Sequence, residues 1–305
     1  MSRRMARVVV PCLTISLAGA ACGTSTSPGE APAKVTPSKT AAPTAQGATA
    51  LRYTGAGTVL ENSHHGPQLC TTVAASYPPQ CAGIDIVGWD WKAVESEGAG
   101  DVRWGRYRVV GTWDGRRLTL TETPRPPAAD TPPPSGGDHD TRFASPCPPP
   151  RGGWRPVDPA KATEEAAQET MDLARKVPEF AGGWIDQAYL DGLPSPQAST
   201  AANDPARYVL NIRFTGDLAG RERWIRQVWG GALCVSGAKH SEAELRRVQR
   251  RIHEELAGIQ SSSVSTLDNR VEALVPVVTD ELRRSLDDRY GAGVVNLEGI
   301  LRPAG

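Results

Sequence analysis

Cysteine is the residue type here with the clearest chemistry. The chain has six. Cys12 and Cys22 lie in or just after an apolar leader, which leaves Cys70, Cys81, Cys147 and Cys234. An even number of thiols in an exported chain points to disulfides rather than to redox catalysis. Four cysteines allow three pairings. The one expected is Cys70–Cys81, close in sequence within one β-rich region, with Cys147–Cys234 stapling a rigid connector to a later strand. A zinc site is the competing reading, but there is no C-x-x-C pair and no matching histidine spacing. His64-His65 is the best remaining metal candidate, and beside Gly66-Pro67 it reads better as a turn. His253-Glu254 opens like a zinc-protease helix, yet Ala257 stands where the second histidine is needed. No G-x-S-x-G elbow, P-loop or complete dinucleotide fingerprint occurs, since Gly55-Ala56-Gly57 lacks its third glycine. No arrangement of Ser, His and Asp singles out a triad. The expectation is a non-enzyme that needs no cofactor and no metal.

Trp89-Asp90-Trp91 carries two readings. On a strand both indoles would point to one face and, if exposed, would form a candidate stacking platform for a sugar or peptide. Buried, they would supply core to a region poor in large side chains. The core reading weighs more.

These residues need elements to hold them. Residues 51–123 have the punctuation of a small antiparallel β domain. Residues 106–113 and 116–123 form a hairpin about Asp114-Gly115, with Leu118 and Leu120 alternating with Thr119 and Thr121. Further strands are expected within 55–61, 68–74 and 84–91. Five short strands in this length predict a small barrel, OB-like in one reading. Residues 124–155 are a Pro/Gly-rich connector.

From 156 onward an α/β domain is expected, opening with a helix started by Asp158-Pro159 and striped by Ala167, Met171, Ala174 and Val177. Gly182-Gly183 is read as ending that segment, and 183–191 as a strand. Two strand-helix-strand units follow, at about 207–237 and 268–299. A shift of 61 positions pairs Leu210 with Val271, Phe214 with Val275, Ile225 with Leu286, Trp229 with Tyr290 and Gly230 with Gly291. An amphipathic helix over 240–256 joins the two units. Ser241 and Glu244 make its capping box, and Leu245, Val248, Ile252 and Leu256 form its apolar stripe. That stripe is expected to cross one sheet assembled from both units. The fold class predicted is therefore α+β, a small β-barrel followed by this repeat-built domain.

Residues 1–21 read as a signal peptide, with Arg3, Arg4 and Arg7 before a short apolar run. Leu17-Ala18-Gly19-Ala20-Ala21-Cys22 resembles the lipobox of bacterial lipoproteins, which implies lipidation of Cys22. Residues 22–50, rich in Thr, Ser, Pro and Ala, read as a disordered tether. Lys plus Arg and Asp plus Glu are both 34. Removing the three leader arginines leaves 31 against 34, a net of −3, so no broad basic field for nucleic acid follows. Arg246, Arg247, Arg250 and Arg251 are interrupted by Glu254 and Glu255 and read as a solvated helix face.

SEAEL (241–245), Gln249, DNRVEALV (268–275) and RYG (289–291) are similar to the propeptide modules of secreted streptogrisin and α-lytic-type serine proteases. The whole chain also resembles uncharacterised lipoproteins of high-GC Gram-positive bacteria. The first resemblance implies folding assistance or inhibition of a protease. Without the nucleophile motif in this chain, that role would act in trans. Two functions are thus expected as alternatives. One is a non-catalytic membrane-anchored extracytoplasmic lipoprotein with a binding or structural role in the cell envelope, its partner a cell-wall ligand or a secreted protein. The other is a trans-acting protease inhibitor or folding helper.

Overall fold

The first six strands are short or interrupted by glycine, and their buried apolar residues close on one another. In the computed structural model, which describes residues 51–127 and 143–305, these strands are β1 (Arg52–Glu61), β2 (Gln68–Cys70), β3 (Ile84–Val87), β4 (Glu97–Ala99), β5 (Val102–Trp113) and β6 (Arg117–Leu120). β1 pairs antiparallel with β2 and β5, β2 with β3, and β5 with β6. β3 runs parallel to β6, and this closes a five-stranded barrel. Val59, Leu69, Ile84, Tyr107, Val109 and Leu118 fill its interior, because side chains alternate between the faces of each strand. The β5–β6 hairpin turns about Gly115-Arg116, one residue later than expected. Asp114 N–H donates to Arg117 O, and the Asp114 carboxylate accepts the N–H groups of Arg116 and Arg117 at 2.8 and 2.7 Å. Gly115 takes the positive φ, 96°.

The remainder contains α1 (Glu164–Ala174), β7 (Phe180–Asp186), α2 (Ser195–Ala201), β8 (Val209–Phe214), α3 (Arg221–Ile225) and β9 (Ala232–Gly237). It continues with α4 (Glu242–Glu255), β10 (Ser261–Ser265), β11 (Arg270–Val277), α5 (Asp280–Tyr290) and β12 (Val295–Pro303). The helix expected at Asp158-Pro159 starts later. Asp158 caps only a 3₁₀ turn, and Thr163 caps α1 by accepting from Ala166 N–H. Gly182-Gly183 does not end that segment but lies inside β7. Gly182 sits at a register shift with φ 126°, where an added Cβ would fall 2.3 Å from the Thr266 side chain.

Both expected strand-helix-strand units form, β8-α3-β9 and β11-α5-β12, each with its two strands parallel. They do not share a sheet, contrary to the expectation for the helix over 240–256. β7, β8 and β9 make a three-stranded sheet, whereas β10, β11 and β12 extend the barrel sheet through β12 and β1. α4 packs on β10 and β11 and lies against β7, the edge of the other sheet, as closely as against β11. Leu245 and Ile252, both fully buried, meet Val271, Ala273 and Val275. The reason is strand pairing. Tyr53 lies opposite Pro303 and Thr54 opposite Arg302, so the end of β12 continues onto the barrel and draws its unit away from the first.

The two units correspond more fully than a strand-helix-strand count suggests. Thr163, Ala167 and Ala174 of the first lie 78 residues before Ser241, Leu245 and Ile252 of the second. Each of these triplets is an N-cap followed by two buried helix positions. In both units a helix leads into an antiparallel pair, β7–β8 or β10–β11, ahead of the parallel crossover. The smaller 61-residue shift of the later elements reflects the longer β7–β8 connection, which carries α2.

Candidate binding surfaces

The predicted platform residues are not on a strand. β3 stops at Val87, Gly88 turns the chain at φ 83°, and Asp90 caps a 3₁₀ turn over Trp91–Ala93. Trp89 and Trp91 meet edge to face with centroids 5.1 Å apart, and Trp89 meets Tyr107 at 5.0 Å. Both indoles are half-buried and pack on the barrel interior. Trp91 Nε1–H donates to Glu61, and Arg103 lies over its ring at 5.8 Å. Tyr107 O–H donates to Glu95 O, and burial raises its pKa. The arrangement seals one end of the barrel with aromatic surface.

The cysteines pair as Cys70–Cys81 and Cys147–Cys234, with Cα separations of 6.2 and 5.7 Å. The second bond holds the connector on the face of the β7-β8-β9 sheet opposite α1 and α3, where Cys147 and Trp154 cover Val209, Ala232 and Cys234. Ser145 N–H donates to the buried Asp186 carboxylate at 2.7 Å, and Trp184 Nε1–H donates to Phe143 O at 2.9 Å. Cys22 lies outside the described residues.

His64 and His65 sit in the β1–β2 turn, where the Asn62 side chain accepts both of their N–H groups. His253 Nε2 lies 2.7 Å from Ser262 Oγ, and Gln249 also bonds Ser262. With no carboxylate bonded to that imidazole among the described residues, the contact is a tie between α4 and β10. No group of three His, Cys, Asp or Glu among the described residues is placed to hold a metal ion.

Two of the polar clefts among the described residues gather side chains from several elements. One, of about 550 Å³, lies where the two units meet and is lined by Arg213, Lys239, His240 and Asn269. Two of its polar side chains, Arg213 and Asn269, are committed to the fold. Arg213 donates to Thr266 O and Leu267 O at 3.0 Å and to Gly237 O, and burial lowers its pKa. Asn269, buried and at φ 53°, accepts from the N–H groups of Lys239 and His240 and donates to His240 O. Asn269→Ala should therefore destabilise by about 2–3 kcal/mol. It leaves backbone groups unpaired and forces Ala into the left-handed region. Asn269→Gly should recover about 1 kcal/mol of that by relieving the strain alone. Paired chemical denaturation checks both values, and an unchanged Ala variant would mean the ties are dispensable.

The second cleft, of about 570 Å³, runs between the outer face of β1 and the end of β12. It is lined by Thr54, Ala56, Thr71, Thr72, Arg108 and Arg302, among others. Apart from Ala56, within the incomplete Gly55-Ala56-Gly57 motif, no sequence pattern marks these residues, because they are gathered from four separate stretches of chain. Compared with known proteins, the chain matches no family model and no curated protein.

Proposed function

We propose that the protein is a non-catalytic, lipid-anchored extracytoplasmic lipoprotein that binds a component of the cell envelope. The observation that carries this reading is the leader ending in Leu17-Ala18-Gly19-Ala20-Ala21-Cys22, followed by a Thr/Ser/Pro-rich tether without an aromatic residue. The lipidated Cys22 would place the folded part on the outer face of the cytoplasmic membrane. Two disulfides support an oxidising compartment. The barrel is read as OB-like, supported by its strand order β1-β2-β3-β6-β5 closing on β1 and its one parallel pair. The paired units are read as a duplication, supported by their matching caps, buried positions and strand pairings.

The test is metabolic labelling with a fatty-acid probe. Wild type is expected to label and to sediment with membranes, and Cys22→Ser to do neither. Unlabelled wild-type protein found entirely in the medium would overturn the anchor.

The alternative is a trans-acting protease inhibitor or folding helper. It is favoured by the propeptide-like residues falling together on α4, β11 and the turn before β11. Dose-dependent inhibition of a secreted serine protease by the purified protein would establish it in place of the binding role.

A further inference from the structure

The outer face of β5 carries Trp104, Arg106 and Arg108 at every second position, so the three side chains form one strip. Arg108 stands directly opposite Arg125, the two residues exchanging backbone hydrogen bonds at 2.7 and 3.1 Å. Directly opposed side chains share a face roughly 5 Å apart, and like charges so placed repel. Among the described residues neither arginine has a carboxylate partner. Arg108 Nε–H donates to the Thr54 hydroxyl at 3.1 Å, which leaves the outer guanidinium nitrogens for a ligand. Arg302 lies opposite Thr54 on its other side. Its one ion pair, to Glu298 at 3.4 Å, joins two side chains about 70% exposed and is of the weak, screened kind. Arg108 and Arg302 thus line the 570 Å³ cleft beside Glu298, and Arg125 flanks Arg108 just outside it, in a chain whose mature form is net negative.

The strip ends on aromatic surface. Trp104 is half-buried, and Tyr77, 82% exposed, meets it edge to face at 6.0 Å. Tyr77 belongs to the loop closed by Cys70–Cys81, so a covalent closure presents a ring that the barrel interior does not use. Thr71 and Thr72 of the same loop line the cleft.

We propose that this face binds an anionic glycan of the cell wall. Arg108, Arg125 and Arg302 take its phosphate or carboxylate groups, and Tyr77 with Trp104 takes a sugar ring. The inference deepens the envelope-binding reading and rests on it. Guanidinium forks match such anions in geometry as well as charge, and an aromatic face suits the apolar face of a sugar. A concave basic cleft continued along β5 by an aromatic pair fits a polymer strand better than a flat lipid surface.

The test is co-sedimentation of the full mature chain carrying Cys22→Ser, which keeps it in solution whether or not the anchor reading holds. The probes are Gram-positive wall sacculi, the same sacculi stripped of anionic polymers by hydrofluoric acid, and phosphatidylglycerol vesicles. Retention on intact sacculi only is expected, falling as salt rises. The double variant Arg108→Gln/Arg125→Gln should lose about tenfold or more in affinity and flatten the salt dependence. Its melting temperature should not fall, because a repulsive pair has been removed. Tyr77→Ala should weaken retention and keep the salt dependence. Equal retention by stripped sacculi, an undiminished double variant or no retention at all would overturn the proposal. Vesicle binding matching that of intact sacculi would overturn it in favour of a lipid surface. Fatty-acid labelling reports on the anchor separately, so the two failures are distinguishable.

Discussion

Cys147→Ser/Cys234→Ser is expected to cost about 4.5 kcal/mol of folding stability. The bond closes a segment of 87 residues, and in the chain-entropy account loss of a cross-link of that span frees the unfolded ensemble by about this amount. Cys70→Ser/Cys81→Ser, with a separation of 11 residues, should cost less, about 3 kcal/mol. Against a total of about 5–15 kcal/mol for a domain, the first loss removes about three-tenths of the stability or more. It also has a structural signature. Without the bond the connector is held on its sheet by Trp154, the Ser145–Asp186 bond and the Trp184–Phe143 bond. Trp154 should therefore become more exposed to quenchers in the folded state. Urea unfolding of the two double variants beside the oxidised wild type measures both costs. A reversed order would show that the loop-length argument does not govern these bonds.

Ile252→Ala is expected to cost about 2–5 kcal/mol, because it removes a branched side chain from a site with no solvent access and leaves a cavity. Ile252 packs in the cluster formed by α4 and α5 on the inner face of the β10-β11-β12 sheet, with Val271, Ala273, Val275 and Leu286. The melting temperature should fall by several degrees. Arg251 is exposed on the other side of the same turn, and Arg251→Ala should shift stability by no more than about 0.5 kcal/mol. Because β12 ties this sheet to the barrel, the loss should appear as one cooperative shift over the whole of 51–305. A separate early transition would mean the second unit unfolds on its own. Equal damage from the two variants would mean that the arginine face of α4 is packed against something.

Local pattern made several features legible. Ser241 and Glu244 announced the start of α4, and Leu245 and Ile252 its buried stripe. Leu118 and Leu120 announced the inner face of β6, and sequence proximity favoured the cysteine pairing that forms. Each rests on interactions within a few residues or on a period that one strand or helix imposes by itself. Other local signals act against the simplest pattern. Gly88 and the capping Asp90 break the strand that would have aligned Trp89 with Trp91. Thr163, at the same distance before Ala167 as Ser241 is before Leu245, gives α1 the same cap-to-core spacing as α4.

The rest had no local mark. β10 is Ser-Ser-Ser-Val-Ser, with too little apolar alternation to declare itself, and exists because β11 supplies its partner. That the two units occupy different sheets follows from Thr54 meeting Arg302 across most of the chain. Periodicity decides which face of a strand is buried, but not which distant edge it joins. The same holds for the basic cleft. Arg108, Arg125 and Arg302 look scattered in a nearly neutral sequence, and only strand pairing brings Arg302 and Arg108 to one cleft and sets Arg125 beside Arg108.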